Sequence, residues 1–173
     1  MLLGILNSQA AGGGVAGGFD LLETTTLTSN ASSVSFSGLD AFSNYKHLQL
    51  RINGKFSSSM RLQLNGDTGS SYSWHQIYGD GSGALNPQGA SNQSSITLGE
   101  SMGYTTGGAL IIDILDFSST NKNTTVKNLF GTAERDFVGL SSGGWYSTNA
   151  VTSLLLYNGT HYANSTYSLY GMG

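Results

Sequence analysis

From Phe19 to the C-terminus, no glycine-free window of helical length places apolar residues at i, i+3, i+4 and i+7. Apolar and β-branched residues instead recur at every second position in short runs, separated by clusters of Gly, Ser and Asn. A period of two sends successive side chains to opposite faces of a strand, so this pattern selects an all-β fold. Residues 46–52 alternate cleanly, placing Leu48, Leu50 and Ile52 inward and His47, Gln49 and Arg51 outward. Residues 60–64 do the same, with Arg61 and Gln63 outward, and the turn-prone Asn53-Gly54 between the two runs suggests that they pair as antiparallel neighbours. Further strands are expected over 21–28, 33–36, 72–78, 95–98, 108–117, 124–131, 137–140, 150–157 and 166–170. The stretches 109–115 and 151–156 are apolar on both faces. Such strands need cover from both sides, supplied by two sheets or by one sheet and a subunit neighbour. The expected architecture is a two-sheet antiparallel sandwich of jelly-roll type spanning 19–173.

Residues 1–18 read as a separate unit. Leu2, Leu3, Ile5 and Leu6 form a short apolar head, and the Gly-rich run 10–18 has the composition of a flexible coil. A tethered apolar peptide either folds back on its own domain or docks into a groove of another protein. The head lacks the basic flank and apolar length of a signal peptide.

Composition narrows the function classes. Without cysteine, disulfide scaffolds, thiolate metal sites and Cys nucleophiles are excluded. Charged residues make up 10% of the chain, far below the ~25% of an average domain, so the surface must be solvated by neutral hydroxyls and amides. The net charge of −3 lacks the basic footprint of a nucleic-acid binder. No apolar stretch approaches the ~18 residues of a membrane-spanning helix, so neither nucleic acid nor a membrane is an expected partner.

Catalytic and metal-binding constellations are equally sparse. His47, His75 and His161 share no ligand spacing with one another or with a carboxylate, so no metal or other cofactor is expected. His47 reads as a solvated side chain, and His75, beside Trp74, first as a buried hydrogen-bonding residue and second as part of a ligand surface. Asp113 and Asp116 stand three apart on an expected strand and point to opposite faces, which prevents joint acid–base work. Asp67 and Asp80 lie in Asn65-Gly66-Asp67-Thr68-Gly69 and Gly79-Asp80-Gly81-Ser82-Gly83, where turn chemistry explains them. No serine sits in a nucleophile elbow. No catalytic residue is nominated, and the chain is expected not to be an enzyme.

Aromatic side chains remain. Tyr72, Trp74 and Tyr78 share one face of a strand, and Trp145-Tyr146 adds a second pair. Such rings serve a core or subunit interface, or stack on sugar rings. Trp74, Trp145 and Tyr146 are the candidate glycan contacts.

The opening Met1-Leu2-Leu3-Gly4-Ile5-Leu6-Asn7-Ser8-Gln9-Ala10 with its Gly-rich linker resembles the start of virion structural proteins of tailed phages, especially those of marine cyanobacteria. Tyr45-Lys46-His47-Leu48-Gln49-Leu50-Arg51, the stretch 62–75 and the ending Tyr167-Ser168-Leu169-Tyr170-Gly171 are similar to segments of the same group. The resemblance implies a non-enzymatic virion part, a head decoration, head fibre or tail appendage, assembled in the host cytoplasm. It carries no catalytic residues. The expectation that follows is a homo-oligomer, a trimer, whose Leu2, Leu3, Ile5 and Leu6 dock into a capsid or tail protein. The competing expectation is a carbohydrate-binding adhesin that recognises a host surface polysaccharide.

Overall fold

The computed structural model describes residues 18–99, 107–132 and 136–173. The strands are β1 (Phe19–Thr26), β2 (Ala31–Ser37), β3 (His47–Gly54), β4 (Arg61–Leu64), β5 (Tyr72–Gly79) and β6 (Leu85–Gln93). They continue with β7 (Ile96–Thr97), β8 (Gly108–Leu115), β9 (Thr124–Thr132), β10 (Phe137–Trp145), β11 (Ser153–His161) and β12 (Thr166–Met172). A single 3-10 turn, Leu39–Phe42, is the helical element among the described residues.

The strands form two antiparallel sheets packed as a sandwich, as the period of two predicts. The large sheet has eight strands in the order β1-β12-β3-β8-β9-β10-β5-β6, and the small one has four in the order β2-β11-β4-β7. This uneven division differs from the two even sheets of an eight-stranded jelly roll. Leu48, Leu50, Ile52, Leu110, Ile112, Ile114, Val126 and Phe130 of the large sheet meet Val34, Phe36, Leu62, Leu64, Leu154 and Leu156 of the small one in a single core. Each fully buried aliphatic or phenyl side chain contributes roughly 1.5–3 kcal/mol of transfer free energy.

The expected pairing of residues 46–52 with 60–64 is not formed. β3 pairs with β12 and β8, whereas β4 pairs with β11 and β7 in the other sheet. The reason lies in the connection: Phe56 and Met60 are both buried, and they draw it across the gap between sheets. Asn53 and Gly54 remain part of β3, opposite Ala109 and Gly108, and make no hairpin turn.

Two further differences concern the far end of the large sheet. β10 runs to Trp145, five residues beyond its expected end, through Ser141-Ser142-Gly143-Gly144. The glycines fit the strand because core side chains occupy the space a side chain would need. A Cβ at Gly143 would lie 2.6 Å from Cγ2 of Ile96, and one at Gly139 would lie 2.4 Å from Cζ of Phe130. β6, with Pro87 and Gly89 and no alternation, was not expected as a strand; it forms the sheet edge, where a proline costs no ladder bond.

Among the described residues the strands of the sandwich run from Phe19 to Met172. The anchor residues Leu2, Leu3, Ile5 and Leu6 lie outside the described residues.

Candidate functional site

Among the described residues the small sheet covers one face of the large sheet, and none covers the other. Its side chains fall into rows that run across the strands, because antiparallel register places one residue of each strand opposite the next. One row reads Ser168, Arg51, Ile111, Leu129, Leu140, Ile77, Pro87 from β12 to β6. Ile111, Leu129, Leu140 and Ile77 of this row are 38–55% exposed. Val138 and Leu85, two residues farther along their strands, are more exposed still. The stretch 109–115 is therefore apolar on both faces as its sequence shows, yet within the chain only Leu110, Ile112 and Ile114 are buried.

The adjacent row, two residues along each strand and ~6.6–6.8 Å away, is polar. It reads Tyr170, Gln49, Asp113, Lys127, Ser142, His75, Gly89. Gln49 donates through Nε2 to Asp113 Oδ1 at 2.8 Å and accepts at Oε1 from Arg51 Nε at 2.7 Å. This bridge buries Gln49 although it stands on the outer face. The Arg51 guanidinium lies 4.5 Å from the ring centre of Tyr170 and 5.1 Å from that of Phe19, held by cation–π attraction to both.

Between the rows, strands β5, β6, β8, β9 and β10 line an open trough of about 850 Å³. His75 stands exposed on its wall, which corrects the expectation of a buried histidine. Its ring lies over Gly89 of the edge strand, where a Cβ would come within 2.3 Å of His75 Cδ2.

The three candidate glycan contacts have different fates. Trp145 is 2% exposed, stacks on Tyr72 with ring centres 6.4 Å apart, and donates through its indole N–H to Asp67; it is a core residue with no face for a ligand. Trp74 shares the inner face with Tyr72 and Tyr78 and packs, partly buried, against the core. The inner face claims both tryptophans because alternation along β5 and β10 puts them in phase with Tyr72. Tyr146, immediately after β10, is 53% exposed. Its hydroxyl donates to Ser73 Oγ at 2.8 Å, and its ring edge lies 3.8 Å from a Cβ built at Gly144. Ser73 and Gly144 lie on the outer face, next to His75 and Ser142 of the polar row. Tyr146 therefore stands on the outer face one row beyond His75 and Ser142, on the opposite side of the sheet from the two tryptophans.

Asp67, Asp80 and Asp116 are bound up in local structure. Asp67 accepts from Trp145 Nε1 and from the Gly69 N–H, and these bonds hold its carboxyl below the usual carboxylate range. Asp80 accepts from the Ser82 hydroxyl and N–H, with the same effect. Asp116 lies in the turn after β8 and pairs with Lys122, which lowers its pKa. His47 is fixed by this turn, accepting the Asp116 N–H at Nδ1 (2.8 Å), and is not the freely solvated side chain expected. Among the described residues no three of His, Asp and Glu converge as a metal site would require.

The outer face was largely missed by sequence reasoning. Its signal was present as breaks in alternation, the adjacent apolar pairs Ile111-Ile112, Leu129-Phe130 and Ile77-Tyr78.

No protein-family model and no curated protein matches the sequence. Among solved structures, the alginate lyase Aly36B is similar at 9% identity and a TM-score of 0.36, over 86% of this chain and 76% of that one. A mutant of the same lyase in complex with alginate trisaccharide aligns at 11% identity and a TM-score of 0.32, over 83% and 79%. A metal-containing protein from Archaeoglobus fulgidus, AF0104, aligns at 8% identity and a TM-score of 0.28, over 92% and 88%.

Proposed function

We propose that the chain is a non-enzymatic virion structural protein that works as a binding module. In this reading Leu2, Leu3, Ile5 and Leu6 fix it to a capsid or tail protein, and the outer face of the eight-stranded sheet is its contact surface. The observation that carries the binding role is the row Ile111, Leu129, Leu140, Ile77, half-exposed on four adjacent strands. An apolar patch of this order on a folded domain is often a contact surface. The virion setting is supported by the sequence resemblance over 1–10, 45–51, 62–75 and 167–171.

The turn aspartates support a non-catalytic role, since Asp67, Asp80 and Asp116 are each engaged in holding a loop. Burying the four apolar side chains of the head would provide roughly 6–12 kcal/mol gross, at ~1.5–3 kcal/mol each. Ordering the Gly-rich tether consumes part of this. A homotrimer regains attachment strength through its three linked arms.

Particles assembled with a chain that starts at Phe19 test the reading. The expected result is loss of the protein from the particle, while the full chain carrying Leu140→Ser stays attached and loses its binding activity. Full retention of the shortened chain would overturn the anchoring role.

A further inference from the structure

Resting on that binding-module reading, we infer that the outer face takes an extended polysaccharide, laid across the strands along the boundary between the apolar and the polar row. The shape of the exposed surface points to a ribbon. At ~25 cal/mol per Å², burying an aliphatic side chain corresponds to ~60–120 Å², so six half-exposed ones offer roughly 200–400 Å². A stable protein interface takes about 800 Å² from each partner, somewhat over half of it apolar, which is more apolar area than these side chains offer. The stripe itself crosses the four adjacent strands β8, β9, β10 and β5, about 14 Å at ~4.8 Å per strand, and the two full rows run on from β12 to β6 over about 29 Å.

The chemistry of the two rows matches such a chain. A polysaccharide in extended form presents apolar ring faces beside hydroxyl edges. Ile77, Leu129 and Leu140 supply the apolar bed. Ser142, Lys127 and His75 stand directly alongside with hydroxyl, ammonium and imidazole groups. On the far side of the polar row Tyr146 presents an exposed ring whose orientation Ser73 fixes, the arrangement that stacks on a sugar. At the other end of the row Gln49 already bridges Asp113 and Arg51, so the polar groups there are held in place before any ligand arrives.

Affinity electrophoresis of the full chain through gels containing hydroxyethylcellulose or polygalacturonate tests the inference. Retardation by at least one of these polysaccharides is expected. Leu140→Ser and Tyr146→Ala, both at exposed positions, should each weaken it by about tenfold with unchanged thermal melting. Arg61→Ala, on the small sheet, should leave it unchanged. Lack of retardation by both polysaccharides, or retardation indifferent to Leu140→Ser and Tyr146→Ala, overturns the polysaccharide. If particles carrying Leu140→Ser nevertheless lose adsorption to host cells, the binding module stands with a different ligand. If sedimentation shows an oligomer that Leu140→Ser converts to monomer, the face is an interface between copies, and both the ligand and the open binding surface are wrong.

Discussion

The indole N–H of Trp145 reaches the carboxylate of Asp67 across 2.7 Å and ties the end of β10 to the turn that follows β4. Tyr72 completes the joint. Its ring stacks on Trp145 with 18° between the planes, and its hydroxyl accepts the Leu64 N–H at 3.0 Å. Burial pushes the Tyr72 hydroxyl up to about 12, so it keeps its proton at all working pH values.

The first prediction concerns this joint. Trp145 is the main cause of the lowered Asp67 pKa, followed by the Gly69 N–H. A carboxylate depressed in the folded state adds stability above its unfolded value of ~3.9, and that stability is lost as pH falls from there through the folded value. Trp145→Phe keeps a ring on Tyr72 and removes the bond. It should cost about 1–2 kcal/mol at pH 7 and less at pH 2.5, measured by urea unfolding. An equal cost at both pH values would show that the lost packing, and not the Asp67 bond, sets the penalty.

How far the sequence foretold this arrangement depended on which force set each element. Where alternation alone decides, as in residues 46–52, the inward and outward assignments of Leu48, Leu50, Ile52 and Arg51 agree with the burial observed. The turn reading of Asn65-Gly66 is matched by their positive φ angles of 53° and 66°. Partner choice was not legible, because nothing local in Asn53-Gly54 shows that Phe56 and Met60 will pull the chain into the other sheet. Nor was the second half of β10, where the space beneath Gly143 is filled by Ile96 from a distant part of the chain. The candidate site suffered from a related ambiguity. A tryptophan in a strand is equally suited to core and ligand, and the register with Tyr72 assigned Trp145 to the core while leaving Tyr146 outside.

The close approach over β10 gives the second prediction. A Cβ at Gly139 would meet Cζ of Phe130 at 2.4 Å and Cβ of Tyr78 at 2.7 Å. Gly139→Ala should therefore destabilise by about 1–3 kcal/mol through overpacking. Gly79, opposite Val138 on the neighbouring strand, has nothing within 4 Å of its would-be Cβ. Gly79→Ala should be neutral or stabilising by up to ~1 kcal/mol, because it restricts the unfolded chain. Thermal melts of the two variants should move in different directions or by clearly different amounts. Equal losses would mean that the sheet is less tightly layered at Gly139.

A third prediction follows from the cation between two rings. Arg51 holds Phe19 of β1 and Tyr170 of β12, at the edge where β1 has one neighbour. Arg51→Gln removes the charge and should loosen β1 by about 1 kcal/mol. Hydrogen exchange of the β1 amides should accelerate about fivefold, while that of β9 amides stays as it was. Unchanged exchange in β1 would assign its hold to the β12 ladder alone.

The last prediction rests on His161, which is fully buried with its Nδ1 2.6 Å from the Tyr167 hydroxyl. Phe56 packs edge-on against the imidazole, and Nε2 has no hydrogen-bond partner among the described residues. The charged ring would carry a proton on Nε2 buried without an acceptor, and burial lowers the His161 pKa below its ordinary value. The unfolded chain then binds more protons than the folded one between the folded pKa and ~6.5. Stability is full above ~6.5, falls as pH drops through that window, and levels off below the folded value. Urea midpoints of the full chain should decline between pH 7.5 and 5.5, above the range where carboxylates titrate. His161→Leu, whatever its absolute stability, should show a flatter profile over the same interval. A wild-type midpoint that stays constant across that interval would mean that His161 accepts its proton in place, with an acceptor for Nε2 supplied from outside the described residues.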